Sequence, residues 1–145
     1  MKQELINKII GGHITRISRV CDMICFGISS SNNEHIYLHV QSFLRILNNT
    51  TILASTEDLY KPHSCVSEEN FEWDVPGNSA YDESIKKIET ELFNSTITEF
   101  NINEIGDVNI LLDNNFKIEI LIDTTISLEK YRIFDKVNHF VFYST

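Results

Sequence analysis

His35 and His39 stand four residues apart, a spacing that on a helix would put two imidazoles over one metal ion. They fall instead in an alternating run, with Ile36, Leu38 and Val40 set against Tyr37, His39 and Gln41. Two same-face strand residues four apart are roughly 13 Å apart. One zinc ion, with ligands at about 2 Å, cannot take both. The reading is a sheet-face His39 and a loop His35. His63-Ser64-Cys65 offers two soft ligands, or a thiol beside a base. A metal site would need two more partners, and only His13, His139 or the strand cysteines remain; no glycine-rich oxyanion element or orienting acid accompanies it in sequence. Glu68, Glu69, Glu72 and Asp74 would make an acid/base pair only if burial split their pKa values, and a solvated acidic loop is simpler. The glycine signatures of nucleotide loops and nucleophile elbows are absent. The expectation is a protein that is not an enzyme, with no metal and no cofactor.

Phe71-Glu72-Trp73-Asp74 is more specific, because it holds the chain's single tryptophan, next to Pro76-Gly77. Such a ring either pins a loop to the core or anchors a partner, tryptophan being enriched at binding hot spots. Trp73 and Asp74 are therefore candidate partner-binding residues. The charge distribution points the same way. Residues 1–60 carry five Lys/Arg and five Asp/Glu, whereas residues 61–145 carry seven and sixteen, so the second part holds the whole formal charge of −9. That sign disfavours binding to a nucleic-acid backbone and favours a basic protein partner.

The elements that must position these groups follow from periodicity. Leu5, Ile6, Ile9 and Ile10 make one helical stripe, stopped by Gly11-Gly12. His13 to Ser30 reads as one long bent strand or two short ones, with Cys21 and Cys25 as small hydrophobes inside it. A strand follows over Ile36 to Val40 and another over Thr50 to Ser55. Glu57 to Ala80 is a long loop with a helical turn. Ser79-x-x-Asp82 opens a helix whose stripe is Tyr81, Ile85, Ile88 and Leu92.

From Ile97 the period becomes two. For Val108, Ile110 and Leu112 to share a face with Phe116, Ile118, Ile120 and Ile122, Leu112 must oppose Phe116. That leaves Asp113-Asn114-Asn115 as a three-residue loop with Asn115 left-handed, and Gly106 closes the turn before it. The opposite face carries Asp107, Asn109, Leu111, Asp113, Lys117, Glu119, Leu121 and Asp123. It is either a solvated sheet face or a binding face with an apolar centre and charged rim. Tyr131–Phe134 and His139–Tyr143 close the chain as strands. The expected fold is α+β: a largely antiparallel sheet with an N-terminal helix and one longer helix packed on it, in a single domain over residues 1–145. The odd cysteine count fits a reducing compartment. No apolar stretch reaches about 18 residues, so the expectation is a cytoplasmic protein with no membrane partner.

The order of short motifs resembles bacterial immunity proteins that accompany polymorphic toxins, including those of contact-dependent growth inhibition. The motifs are Gly12-His-Ile-Thr-Arg-Ile-Ser-Arg19 with Cys21-Asp-Met23, Tyr37-Leu-His-Val-Gln41 with Arg45-Ile46, Asp58-Leu-Tyr-Lys-Pro62, Phe71-Glu-Trp-Asp74, Gly106-Asp-Val-Asn-Ile110 and Glu129-Lys-Tyr-Arg-Ile-Phe134. The resemblance implies a cytosolic antidote that binds a cognate, nuclease-type basic toxin domain and covers its active site. The acidic face would then mimic phosphate, and the free protein would be a monomer or weak dimer. Two other readings stay open. One is a small-molecule binding or hydrolytic domain using residues 57–80 as a lid, with His39, His63 and Cys65 at its mouth. The other is a subunit of a larger assembly built through a two-fold apolar interface.

Overall fold

The structure is a computed structural model and describes residues 1–144. Helix α1 (Lys2–Ile9) buries Leu5, Ile6 and Ile9, the stripe read from the sequence, and Gly11 leaves it at φ +89°. Strands β1 (His13–Val20) and β2 (Met23–Ser29) pair antiparallel, so the long apolar run is two strands. They turn at Cys21, which is exposed with φ +53° and is not a strand hydrophobe. Strand β3 (His35–Val40) begins one residue before its alternating run: His35 pairs with Ser29 and belongs to the strand, not to a loop.

Strand β4 (Phe43–Asn48) has no counterpart among the sequence expectations. Strand β5 (Thr51–Ser55) pairs with it across a bulge. Two 3-10 turns, Thr56–Tyr60 and Glu68–Asn70, interrupt the long loop. Helix α2 (Ala80–Phe93) starts with the expected capping box, Ser79 and Asp82 each satisfying the other's backbone amide. Strands β6 (Ile97–Ile102), β7 (Val108–Leu112), β8 (Phe116–Leu121), β9 (Glu129–Phe134) and β10 (His139–Tyr143) follow.

The ten strands form two antiparallel five-stranded sheets, in the orders β1-β2-β3-β9-β10 and β5-β4-β8-β7-β6. Each presents one apolar face to a shared core. Ile24, Phe26, Ile28, Ile36, Leu38, Val40, Tyr131 and Ile133 come from the first sheet. Leu44, Ile46, Val108, Ile110, Leu112, Phe116, Ile118 and Ile120 come from the second. Each aliphatic side chain so buried contributes about 1.5–3 kcal/mol. The helices close the open sides. α2 lies against β1 and β5, an edge strand of each sheet, and α1 lies against β3, β6 and β9. Gly11 N–H donates to Ile97 and Ile97 N–H donates to Gly12, both at 2.8 Å, tying the start of the first sheet to an edge of the second.

One link at the α1 end is pH-sensitive. Asp135 accepts from Lys8 Nζ at 2.8 Å and from the backbone amides of Val137 and Asn138 at 2.8 and 2.7 Å. The Lys8 ammonium leads, with the amides behind it, in holding the Asp135 carboxyl down at about 2. A carboxyl depressed in the folded state stabilises fully above its unfolded value near 3.8, and that stability is lost as pH falls toward about 2. A carbon-detected NMR titration is expected to place Asp135 near 2, and Lys8→Met is expected to move it back up.

Candidate partner-binding surface

The β7–β8 hairpin has the register that its two apolar sets require. Val108 pairs with Ile120, Ile110 with Ile118 and Leu111 with Lys117, and Asn115 takes the left-handed position at φ +72°. The opposite face therefore gathers Asn109, Leu111, Lys117 and Glu119 as expected. Adjacent strands extend it in rows. Asn101, Asn109, Glu119, Arg45 and Ser55 run across the sheet, beside Leu111–Lys117–Leu47 on one side and Leu121–Phe43 on the other. Arg45 is the member that sequence reasoning missed as part of this face.

The acids of this hairpin are engaged within the fold. Arg45 Nε donates to Glu119 at 2.9 Å. Lys130, almost fully buried, reaches Asp123 at 2.9 Å. Burial alone would raise the Asp123 carboxyl, but the hydrogen bonds from Lys130 and Ser42, with the lysine charge, together leave it below its usual value. Asp107 accepts from the Ile122 amide at 2.8 Å and from the Asn103 side chain at 3.3 Å. Asp113 accepts from the Thr96 amide at 3.1 Å and returns its own amide to the Thr96 carbonyl. These four carboxylates hold strand ends and neighbouring strands in register.

A run of uncompensated charge lies in the long loop. Glu57, Glu68, Glu69, Glu72 and Asp74 are exposed, and none makes an ion pair among the described residues. Trp73 stands among them, half-buried, its ring 5.2 Å from that of Tyr60, which is 53% exposed. Trp73 thus pins its own segment and still presents an aromatic edge. Between this lobe and the hairpin face runs a groove of about 120 Å³ lined by Asp22, Phe43, Glu57, Tyr60 and Asp123. Phe43 pairs with Leu121. The groove links Tyr60, the ring partner of Trp73, to Phe43 and Asp123; neither Trp73 nor Asp74 lines it. Asp113 lies at the far tip of the hairpin.

The loop is anchored at its root. The Arg19 side chain, only 2% exposed, donates Nε and Nη2 to the two Asp82 oxygens at 2.8 and 2.7 Å. Its remaining bonds go to the carbonyls of Cys21 and Val75 at 2.8 and 3.0 Å. Asp82 also accepts from the amides of Gly77 and Ser79 at 2.9 and 3.1 Å. His63 N–H donates to Asn78, Ala80 N–H to Lys61, and Ser64 binds Glu83 through both its amide and hydroxyl. Sequence reading missed Arg19, although it shares the inward parity of Ile17 on β1. A charged residue at a core position was the available signal.

His39 lies apart from His63 and Cys65 in the fold. His39 lies on the outer face of the first sheet, edge-on to Phe134 at 5.0 Å; burial first and Arg132 second lower its pKa. His63 and Cys65 lie in the loop, where His63 Nδ1 accepts from the Cys65 amide at 2.9 Å. Among the described residues no three His, Cys, Asp or Glu side chains are grouped to hold a metal ion, and no helix is long and apolar enough to cross a membrane. Comparison with protein-family models, with curated proteins and with solved structures gives no match.

Proposed function

We propose that the protein is a non-enzymatic, immunity-type inhibitor that neutralises a basic, nuclease-type toxin domain in the cytosol by covering its active site. The observation that carries the reading is the anchored loop, whose segment holding Trp73 also carries four exposed, unpaired carboxylates, Glu68, Glu69, Glu72 and Asp74, with a groove leading from Tyr60 to Phe43 and Asp123. Unpaired surface charge of one sign raises the association rate with a partner of the other sign. A loop already held in shape loses little entropy on binding. A tryptophan–tyrosine centre with a charged rim has the make-up of an interface whose aromatic core sets the dissociation rate.

The test is co-purification from the native host, followed by co-expression with the toxin domain that is captured. Restored growth together with a one-to-one complex is the expected result. A domain that stays lethal, or that does not bind, removes the proposal. Within the complex, the combined change Glu68→Lys, Glu69→Lys, Glu72→Lys and Asp74→Lys is expected to slow association about 10- to 100-fold at low salt, and much less at high salt. Stopped-flow kinetics at two ionic strengths reads this directly. Trp73→Ala is expected to act on dissociation instead, by about 30-fold or more.

A further inference from the structure

Each sheet ends in two edge strands, and three of the four are defended. β1 carries Arg16 and a bulge and has α2 against it. β5 has α2 and the Thr56–Tyr60 turn against it. β6 carries the exposed Glu99 and a bulge, and it is tied to Gly11 and Gly12. β10 differs. Among the described residues it is the terminal strand of the first sheet, bonded to β9 alone; the irregularity of that pairing, at Phe142/Tyr143, leaves the extra residue, Lys130, on β9 and not on β10. Its sequence, His139-Phe-Val-Phe-Tyr143, holds no charge and no proline, and neither of its faces is fully buried. An uncharged apolar edge of this kind offers unpaired N–H and C=O groups to another strand.

We propose that β10 pairs antiparallel with β10 of a second copy of this chain, about a two-fold axis at Val141. The strand nearly reads the same in both directions. Self-pairing at Val141 therefore sets Phe140 beside Phe142 of the second copy and His139 beside Tyr143. Aromatic cross-strand pairs of this type stabilise a ladder. Charge does not oppose this occupant at the contact itself: a molecule of net charge −9 meets its copy along a strand that places no like charges opposite one another, and the near-palindrome of the strand is what singles out a second copy. Tyr37, Phe134 and His139 stack in series on the outer face, with ring centroids 5.3 and 5.2 Å apart, and continue the apolar surface inward from the edge. The product is a continuous ten-stranded sheet. It leaves the second sheet and the acidic loop open, so the contact stands or falls separately from the proposed function.

Sedimentation equilibrium of the full chain is expected to show a monomer–dimer equilibrium. Val141→Lys puts two ammonium groups on the axis and is expected to weaken the dimer at least about tenfold, with unchanged circular dichroism. Val141→Thr, neutral and at home in a strand, is expected to keep it, as is Tyr37→Lys two strands inward. Directly opposed residues in an antiparallel ladder have Cα atoms about 4.5–5.5 Å apart, inside the span a disulfide accepts. In a chain carrying Cys21→Ser and Cys65→Ser, Val141→Cys is thus expected to give a disulfide-linked dimer on mild oxidation, and Val137→Cys is not. A monomer at all concentrations overturns the proposal. So does a dimer indifferent to Val141→Lys, or one abolished by Tyr37→Lys alone.

Discussion

Arg19→Met is expected to lower folding stability by about 3–5 kcal/mol, the usual loss when one member of a buried ion pair is removed. The methionine fills the volume but leaves the Asp82 carboxylate without the two donors that face it, and leaves the Cys21 and Val75 carbonyls unsatisfied. Replacing both partners with apolar residues is not the escape it is elsewhere, because Asp82 also caps α2 and binds the Gly77 amide. Arg19→Lys is expected to recover only part of the loss, since one ammonium cannot reproduce the bidentate fork. Urea unfolding gives the number. Trp73 emission distinguishes the mechanism: it is expected to shift toward that of exposed tryptophan before the global transition, because the loop hangs from Arg19. A loss below about 1 kcal/mol would show that the pair is dispensable.

The same pair has a pH signature. Burial pushes the Asp82 carboxyl up, and the hydrogen bonds from Arg19 and Ser79 more than offset it, leaving the pKa below its ordinary 3.8. Its contribution is therefore complete above about pH 5 and is lost as pH falls through the depressed value. Acid unfolding of the parent is expected to begin in this window, and the Arg19→Met chain is expected to lack that component.

Gly106→Ala is expected to cost about 2–5 kcal/mol through two additive strains. The residue sits at φ +110°, where an L side chain is disfavoured. A Cβ there would lie 2.1 Å from Cζ of Phe142, far inside contact distance. The ring has little freedom to withdraw, because it stacks on the fully buried Tyr131 at 5.1 Å with planes 7° apart. Tyr131 in turn donates its hydroxyl to the Gly106 carbonyl at 2.8 Å. A double-mutant cycle separates the terms. In a Phe142→Ala background the alanine is expected to cost only the backbone part, about 1–2 kcal/mol. Equal costs in both backgrounds would assign the whole effect to the dihedral angle.

Legibility followed the range of the physics. The β7–β8 register could be read because side-chain direction alternates strictly along a strand, and a slip of one residue would expose the whole set of Phe116, Ile118 and Ile120. Ser79 and Asp82, Gly11 and Asn115 could be read because caps and left-handed turns are local. β4 escaped because its burial does not alternate cleanly: Ile46 and Leu47 are both buried, next to the bulge where β5 pairs. The hairpin face was legible as a set of residues but not as a potential. Its acids were visible in the sequence, whereas Arg45 and Lys130, which neutralise Glu119 and Asp123, arrive from strands roughly 70 residues upstream and on the other sheet.

What the chain by itself determined is the α+β class, the two helices with their caps, the β7–β8 turn, and the apolar parity of most strands. All of these depend on neighbours within a few residues. What only the tertiary structure decided is that the strands divide into two sheets, that Arg19 and Asp82 meet to hang the acidic loop, and that Tyr60 and Trp73 lie one groove away from the hairpin face. The reason is that long-range pairing is selected by the joint burial of many side chains at once. A charge is free or spent according to what that packing brings beside it.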